Sequence, residues 1–363
     1  MKILFITSSS INGGAQKHIR EMFNSLKKMG HSLFLAAPNG WLVNELSESV
    51  DNILVLSSMK KEQKKLCLFI DRIKPDVTNT FILSGAYYGT RAWKRKKYGK
   101  LFITVNNPVI YDGIGLINRF VYPLIYRSLS MYANAFLVKS ETVQKEVEHI
   151  IGGKKPVLSI KNGVDFSKFN KEAVLSCELP IDKKNENDIV IVNTAVLEER
   201  KGQYELINAV CALRKKYPVQ LLIVGEGSYR GTLEKLITNT GSKEYVHLLG
   251  FRKDINAILS KSNIFVLSSY HEGLPNALME AMAMGLPCVA TNVGGVRQLM
   301  PTEDMGIVIE PKNVGDMESA IERFIIDKEY AKKCGNNAYQ IIYSNYRQEK
   351  VAKELIDIYE KRQ

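Results

Sequence analysis

Short apolar runs alternate with helical patterns along the whole chain, and this alternation starts twice. In the first half the apolar runs are 2–7, 31–37, 52–56, 76–83, 101–105, 134–140 and 156–160. In the second half they are 188–197, 220–227, 245–251, 263–269, 287–291 and 306–310, and the chain is helical from about 317 onward. Strands that are apolar throughout and separated by helices are typical of a parallel sheet covered on both faces. The sequence therefore predicts an α/β fold with two doubly wound halves of roughly 165 residues each.

A polar, Lys-rich stretch from Phe166 to Asp188 separates the two halves. It contains Pro180 and the charged sequence KKNEND at 183–188. Domain boundaries fall in exposed polar segments of this kind. We therefore place the seam here, with a first domain over 1–166 and a second domain that begins at 167.

Fifty Lys and Arg residues against 38 Asp and Glu residues give the 363-residue chain a net charge of +12. The hydrophobic fraction of 45% and the charged fraction of 24% are ordinary for a globular protein. These fractions exclude a disordered chain, a collagen and a small disulfide scaffold. The cationic surplus suggests an anionic partner, which could be nucleic acid, a phosphate-bearing metabolite or a negatively charged membrane face.

The cysteines are scattered and form no close pair at metal-ligand spacing; they are Cys67, Cys177, Cys211, Cys288 and Cys334. This pattern predicts a reducing compartment and no structural metal. The start, MKILFITSSS, predicts a strand and lacks the features of a signal peptide. Because no run of ~18 apolar residues occurs, we expect no membrane-spanning segment.

Two parallel sheets that face each other form a cleft at their carboxyl edges, where open α/β sheets bind ligands. Gly13 and Gly14 follow the first strand and open a helix predicted from Ala15 to Met29. Backbone N–H groups at such a helix start can bind an anion. The pattern is not GxGxxG and no acidic residue ends the second strand, which disfavours a nicotinamide dinucleotide. A tight turn without a ligand is the alternative.

Two further candidate segments follow strands of the second half. Arg200 and Lys201 in LEERKGQ lie at a strand-to-helix turn, where two cations would bind a diphosphate. Gly225 and Glu226 in VGEGS suggest a backbone packed close to a base or ribose edge. The alternative for the cations is ordinary solvated surface charge.

The block HEGLPNALMEAMAMGLPCVATNVGG at 271–295 carries the strongest signal. We expect Glu272 in a loop, Pro275 as the first helical residue, and a helix through Glu280 that stops at Gly285. The helix start can face a phosphate, and the two carboxylates can accept hydrogen bonds from sugar and ribose hydroxyls. Chance alone would give roughly one or two such Glu pairs in this chain, so the weight rests on the whole block.

This block resembles the donor-site signature of family 4 retaining glycosyltransferases. Other matching segments occur in the order that the family shows; they are GGAQKHI at 13–19, NGVDFSKF at 162–169, RKG at 200–202, GEG at 225–227 and LLGF at 248–251. The resemblance covers nearly the whole chain. It implies a GT-B fold, with an acceptor-binding first domain and a second domain over 167–345 that holds a nucleotide sugar. The last helix, 346–363, would cross back onto the first domain.

The resemblance also implies roles for individual residues. Lys201 would bind the donor diphosphate, Glu280 the ribose hydroxyls and Glu272 hydroxyls of the transferred sugar. The remaining implied contacts to the donor come from glycines and from neighbours of the motif residues, namely Gly13, Gly14, Arg200, Gly225, Glu226, Gly273, Leu274, Pro275, Asn276, Gly294 and Gly295. No metal and no cofactor are implied, and UDP is the nucleotide that we expect.

Two positions depart from the family pattern. Many members carry an Arg five or six residues before the motif Lys, where this chain has Ala195 and Val196. Many also carry a His where this chain has Asn106. An Asn can hydrogen-bond the sugar but cannot accept a proton at neutral pH. This is compatible with the family's front-face mechanism, in which the leaving diphosphate takes the proton of the acceptor. A turn before Pro108 is the other interpretation of Asn106 and its neighbour Asn107.

The sequence RAWKRKKYGK at 91–100 and the aromatic segment 118–132 suggest a membrane-binding face. Cations beside aromatic residues such as Trp93 and Tyr98 suit adsorption to anionic lipid. We therefore expect a peripheral protein at the cytoplasmic face of the membrane, acting on a lipid-linked acceptor. A solvated helix end next to a helix packed in the core is the alternative.

Together these features predict a retaining, metal-independent glycosyltransferase of polysaccharide biosynthesis, such as lipopolysaccharide or capsule. A nucleotide-sugar epimerase is an alternative that would form product without an acceptor. A non-catalytic nucleic-acid binder is a second alternative, prompted by the charge of +12. The chain lacks a recognised nucleic-acid-binding motif, so we expect no nucleic-acid partner.

Overall fold

The computed structural model describes residues 1–11, 13–48, 50–110, 114–170, 172, 177–179 and 188–361. The chain forms two compact units, of which the first comprises Met1–Gly163 with Gln348–Gln363 and the second Val164–Arg347. Pro180 and residues 183–187 of the predicted seam lie outside the described residues.

The first unit contains a seven-stranded parallel sheet with the order β3-β2-β1-β4-β5-β6-β7. Its strands are β1 (Lys2–Thr7), β2 (Ser32–Ala37), β3 (Asn52–Val55), β4 (Val77–Phe81), β5 (Lys100–Val105), β6 (Ala135–Val138) and β7 (Val157–Ser159). Its helices are α1 (Gly14–Lys28), α2 (Trp41–Leu46), α3 (Gln63–Ile73), α4 (Leu83–Trp93), α5 (Leu116–Leu129) and α6 (Glu141–Ile151), together with the final helix, α14 (Gln348–Lys361).

The second unit repeats this plan with a six-stranded parallel sheet in the order β10-β9-β8-β11-β12-β13. Its strands are β8 (Ile189–Thr194), β9 (Val219–Val224), β10 (Val246–Gly250), β11 (Ile264–Leu267), β12 (Cys288–Thr291) and β13 (Ile307–Ile309). Its α-helices are α7 (Gln203–Arg214), α8 (Arg230–Asn239), α9 (Ile255–Ser260), α10 (Asn276–Ala283), α11 (Val296–Leu299), α12 (Val314–Ile326) and α13 (Lys328–Asn345).

Successive side chains of the central strands enter different apolar clusters, as a sheet covered on both faces requires. In β1, Phe5 packs with Phe23 of α1, whereas Leu4 belongs to the cluster under α3. In β8, Val192 and Ile191 enter opposite clusters in the same way. The predicted α/β fold with two doubly wound sheets is therefore confirmed.

The order of each sheet reverses at one point. In the first unit β1 lies between β2 and β4, and in the second unit β8 lies between β9 and β11. Loops that leave the carboxyl ends of the two strands at such a reversal diverge to opposite faces of the sheet and open a crevice. The loops after β8 and β11 hold Lys201 and Glu272.

The units divide three residues before the predicted boundary at 166. The Val164 N–H donates to the Tyr346 carbonyl at 2.7 Å, and the Phe166 ring contacts Tyr339 and Tyr343 of α13. These contacts hold the segment 164–169 in the second unit. Tyr346, predicted as the start of the returning helix, is buried in the core of the second unit.

Two predicted helix starts can be compared with the structure. The Ser140 hydroxyl accepts a hydrogen bond from the Val143 N–H, which confirms it as the N-cap of α6. Pro275 is not the first helical residue of α10, because its ψ of 107° is extended; it occupies the N-cap position. Helix α10 ends before Gly285, whose φ of +74° favours glycine.

All five cysteines lie in the described part of the chain and carry free thiols. Among the described helices, none combines the length and the apolar character needed to cross a bilayer.

Candidate functional site

Two loops meet at the sheet reversal of the second unit. Strands β8 and β11 pair in parallel, with Ile191 opposite Ile264, so their carboxyl ends lie side by side. The loop after β8 contains a 3-10 turn over Glu199–Lys201, and the loop after β11 contains Glu272. This geometry confirms that Arg200 and Lys201 lie at a strand-to-helix turn.

Backbone and hydroxyl contacts fasten the two loops together. The Tyr270 N–H donates to the Arg200 carbonyl, and the Ser268 hydroxyl donates to the Lys201 carbonyl, both at 2.8 Å. Gly202 has a φ of +62°, and a Cβ at this position would lie 2.0 Å from the Ser268 carbonyl oxygen. The loops can approach this closely because residue 202 has no side chain.

The fastened loops bring Lys201 and Glu272 into an ion pair. Their Nζ and Oε1 atoms lie 2.6 Å apart, and their side chains are only 12% and 14% exposed. The Ser269 hydroxyl donates to the same carboxylate oxygen at 2.7 Å. Within the described residues this pair uses one of the three donors of the Lys201 amine, which leaves two for an anionic ligand. Sequence reasoning missed Ser268 and Ser269, although they lie within three residues of the motif block.

A third loop packs against the backbone around Glu272. Gly294 has a φ of +52°, and a Cβ there would lie 2.2 Å from the Glu272 carbonyl oxygen and 2.4 Å from that of Gly273. The Gly295 N–H donates to the Gly273 carbonyl at 2.7 Å. The Thr291 hydroxyl, at the end of β12, donates to the Ser269 carbonyl at 2.5 Å. Glu272 is therefore held by loops from two neighbouring strands.

The start of α10 adjoins these loops. Asn276 is its first residue, and Glu280 lies half-buried within the helix. Leu274 and Pro275 between Glu272 and the helix are buried. The first turn of α10 contains no acidic residue, and the helix N-terminus carries a partial positive charge. The block thus combines a lysine, a helix N-terminus and two carboxylates within one segment of the fold.

The other predicted residues of the second unit have protein partners. Arg200 is exposed and pairs with Glu198 at 2.6 Å, while Glu226 pairs with Arg230 at 2.8 Å. A Cβ at Gly225 would lie 1.9 Å from the Ala195 carbonyl oxygen, so this glycine is required by the neighbouring loop. That observation explains Gly225 without a ligand, and its predicted contact with a base or ribose stays a prediction.

The predicted residues of the first unit follow β1 and β5. Gly13 is the extended N-cap of α1 and has no side-chain cap, and a Cβ at Gly14 would meet nothing within 4 Å. Asn106 lies just after β5, and both polar atoms of its side chain are buried without a hydrogen-bond partner in the described part of the protein. Because an unpaired buried amide is costly, Asn106 is well suited to hydrogen-bond a ligand.

Sequence reasoning missed a buried cluster around Lys139. Lys139 follows β6, and its Nζ donates to the Asn162 side-chain oxygen at 2.6 Å. Burial lowers the pKa of Lys139 to about 7, and the carboxylate of Glu21 opposes that shift. Burial and the Lys139 charge together lower the pKa of His18 on α1. In the sequence, Lys139 resembles any surface lysine after a strand.

We expect the first unit to become more stable as the pH rises from 7 to 9. In this interval Lys139 is largely neutral in the folded protein but protonated in the unfolded chain, whose lysines titrate near 10.5. Because the unfolded state binds more protons, the free energy of unfolding increases with pH, by about 2 kcal/mol over the interval. Urea unfolding can be followed by tryptophan fluorescence, since both tryptophans, Trp41 and Trp93, belong to the first unit.

The variant Lys139→Met should remove this increment, so that the difference in unfolding free energy between wild type and variant changes with pH. The control is Lys235→Met on the exposed surface of α8 in the second unit. An equal pH dependence in wild type and Lys139→Met would show that the buried amine does not titrate as described.

The sequence profile of the family described as "Glycosyl transferases group 1" matches residues 178–341, nearly all of the second unit. An uncharacterised glycosyltransferase of Methanocaldococcus jannaschii is 28% identical over 299 residues, which cover 76% of this chain and 72% of that protein. The chain is a glycosyltransferase, and its second unit matches the group 1 family. The predictions of a glycosyltransferase and of a GT-B fold are therefore confirmed.

Two further proteins similar to this glycosyltransferase indicate what related chains bind. The Escherichia coli UDP-Gal:alpha-D-GlcNAc-diphosphoundecaprenol alpha-1,3-galactosyltransferase is 29% identical over 243 residues, 60% of this chain and 61% of that protein. The crystal structure of Anabaena HepE in complex with UDP superposes with a TM-score of 0.85 and 20% identity over 99% of both chains. At 20% identity, the structural similarity supports the shared fold and no more than the fold.

The structure contradicts one part of the predicted membrane-binding face. Trp93 is buried in the core under α3, and its indole N–H donates to the Tyr98 carbonyl at 2.8 Å. The Tyr98 hydroxyl donates to Asp71 at 2.9 Å. These two aromatic residues are therefore structural and cannot insert into lipid.

Proposed function

We propose that this glycosyltransferase moves a sugar from a UDP-sugar to a hydroxyl of a lipid-linked glycan, with retention of configuration and without a metal ion. The observation that carries the proposal is the Lys201–Glu272 pair beside the α10 N-terminus, at the sheet reversal of the second unit. The named activity of the Escherichia coli relative, which uses UDP-galactose and a diphosphoundecaprenol-linked acceptor, supports this donor and acceptor class.

The donor diphosphate would bind at Lys201 and the start of α10. Negative charge grows on the diphosphate as the bond to the sugar breaks, and an amine together with a helix N-terminus stabilises that charge. These groups supply the stabilisation that a divalent cation supplies in metal-dependent transferases. Glu280 would accept hydrogen bonds from the ribose hydroxyls, and Glu272 from hydroxyls of the transferred sugar.

The acceptor would bind at the carboxyl edge of the first sheet, near Asn106. Because an asparagine takes no proton at neutral pH, the leaving diphosphate itself accepts the proton of the acceptor hydroxyl. The bond from C1 to the phosphate oxygen breaks, and the new bond from C1 to the acceptor oxygen forms on the same face. The proton passes from the acceptor oxygen to the phosphate oxygen, and the products are UDP and an α-linked glycan when the donor is an α-linked sugar.

The proposed acceptor also implies where in the cell the enzyme works. A lipid-linked glycan lies at a membrane, so the enzyme would work as a peripheral protein on the cytoplasmic face, where nucleotide sugars are available. This places it in the biosynthesis of a surface polysaccharide such as lipopolysaccharide or capsule.

The anomeric configuration of the product tests the proposal. Purified enzyme is incubated in EDTA with UDP-glucose, UDP-galactose or UDP-N-acetylglucosamine and a lipid-linked acceptor, and the product linkage is determined by NMR. We expect an α-linkage at a rate that added Mg²⁺ does not change. A β-linkage would contradict retention, and strict dependence on added metal would contradict the proposed role of Lys201. Conversion of the nucleotide sugar without acceptor would favour an epimerase.

A further inference from the structure

Helix α5 presents a large apolar face to solvent. Leu116 and Ile117 are each 77% exposed, Phe120 is 73% exposed and Leu124 is 62% exposed. Residues 116, 120 and 124 recur at four-residue spacing, so they share one side of the helix. Exposed apolar side chains that are contiguous rather than scattered mark an interaction surface.

The opposite side of α5 holds the helix on the first unit. Tyr126 and Leu129 are buried in the cluster that also contains Val143 and Val147 of α6. Tyr122 and Ile125 pack against the same cluster. Helix α5 is therefore anchored to the first unit by its buried side. Its exposed apolar side chains do not take part in that anchoring.

The sequence segment that carries this face is cationic. Between 77 and 140 the sequence has nine Lys and Arg residues and a single acidic residue, Asp112. Arg119 and Arg127 lie exposed on α5 itself. Lys94, from the basic run after α4, approaches the Tyr132 ring just beyond α5, with its Nζ 4.9 Å from the ring centroid. The basic run therefore contacts the segment that directly follows α5.

The apolar face and the cations near it together indicate which partner can bind α5. A second copy of the chain would bring two cationic surfaces together, which repel each other. An anionic bilayer instead offers headgroups to the cations and acyl chains to the apolar side chains, as it does for amphipathic helices that lie in the interface.

We propose that α5 docks the first unit onto anionic lipid, with Leu116, Ile117, Phe120 and Leu124 in the acyl boundary and Arg119 and Arg127 among the headgroups. The proposal rests on the lipid-linked acceptor of the proposed function. It places membrane contact on α5 and excludes Trp93 and Tyr98. Docking through α5 would hold the acceptor-binding unit at the surface where a lipid-linked acceptor is anchored.

Vesicle flotation of the full chain tests this assignment. At low salt the wild type should float with phosphatidylcholine vesicles that contain phosphatidylglycerol and should not float with phosphatidylcholine alone. The triple variant Leu116→Ser, Phe120→Ser, Leu124→Ser should lower the affinity for the anionic vesicles by about 100-fold. The double variant Arg119→Gln, Arg127→Gln should weaken it by about 10-fold, with the difference vanishing at high salt.

The matched control is Leu68→Ser with Ile326→Ser, two side chains that are 60% and 67% exposed on other helices. This control should float like the wild type. Equal flotation of the wild type and the triple variant, or equal binding to neutral and anionic vesicles, would overturn the proposal. Loss of a wild-type dimer in the triple variant, without any vesicle binding by the wild type, would assign the face to a second copy.

A water-soluble acceptor separates this proposal from the proposed function. With such an acceptor the triple variant should keep wild-type kcat/KM, because no α5 residue is placed in the transfer site. If the wild type shows no transfer but floats as described, the proposed function fails and the docking surface stands. If transfer proceeds and flotation does not occur, the docking surface fails alone.

Discussion

Replacement of Lys201 by Met should lower kcat/KM for sugar transfer by about 1,000-fold while leaving the fold intact. The Lys201 side chain is only 12% exposed and its amine pairs with Glu272, while the Ser268 hydroxyl donates to the Lys201 backbone carbonyl and fixes the loop. Removal of one such stabilising group typically costs 100-fold to 1,000-fold in rate, roughly 3–4 kcal/mol. The loss of the ion pair adds to this effect, because Glu272 then keeps only the Ser269 hydrogen bond among the contacts described.

The measurement is steady-state kinetics of UDP release, with circular dichroism to verify folding. Lys216→Met is the matched control, since Lys216 pairs with Glu318 and Glu322 on an exposed surface of the same unit. The control should retain wild-type kinetics. A kcat/KM for Lys201→Met within about threefold of wild type, roughly 0.7 kcal/mol, would remove Lys201 from the donor site.

The substitution Gly294→Ala should raise the KM for the donor by about 30-fold or more. A Cβ at this position would meet the carbonyl oxygens of Glu272 and Gly273 at 2.2 Å and 2.4 Å, and the φ of +52° disfavours any side chain. Because backbone atoms cannot yield as a flexible side chain can, the loop that carries Glu272 has to move. A shift of that loop displaces Glu272 from Lys201 and from the start of α10, and poor positioning of binding groups is costly.

Gly231→Ala supplies the control for this prediction. Gly231 lies in α8 of the same unit, and a Cβ there would meet nothing within 4 Å. Alanine favours a helix by about 1 kcal/mol over glycine, so this variant should be as stable as the wild type or slightly more stable. A donor KM for Gly294→Ala equal to that of Gly231→Ala would show that the 292–295 turn does not position the donor site.

The strands could be predicted from the sequence for a simple reason. A strand buried on both faces is apolar at every position, and this pattern is local. The positions of Lys201 and Glu272 after neighbouring strands follow from the same rule, because the carboxyl ends of parallel strands meet at one edge. The motif block could therefore be placed at the correct edge of the second sheet.

Contacts between residues distant in the sequence could not be predicted in this way. The division of the chain after Gly163 depends on the hydrogen bond from Val164 to Tyr346 and on the packing of Phe166 against α13. The requirement for glycine at 202 and 225 depends on carbonyl groups of other loops. No local sequence pattern predicts either contact.

The burial of individual side chains also could not be predicted from the sequence. Trp93 and Tyr98 stand in a cationic run that resembles a membrane-binding segment, but the fold packs Trp93 under α3. The reverse holds for Leu116 and Phe120, which have the sequence character of core residues and lie exposed. Lys139 follows a strand like many surface lysines, but in the fold its amine is buried and hydrogen-bonded to Asn162.

Isothermal titration of UDP into the full chain in EDTA tests the central claim most directly, because it measures diphosphate binding without metal and without acceptor. We predict saturable one-site binding in the micromolar range for the wild type, reduced below detection in Lys201→Met and unchanged in Lys216→Met. Absence of heat with UDP and with every other nucleoside diphosphate, or binding that appears only after addition of Mg²⁺ or Mn²⁺, would contradict the account.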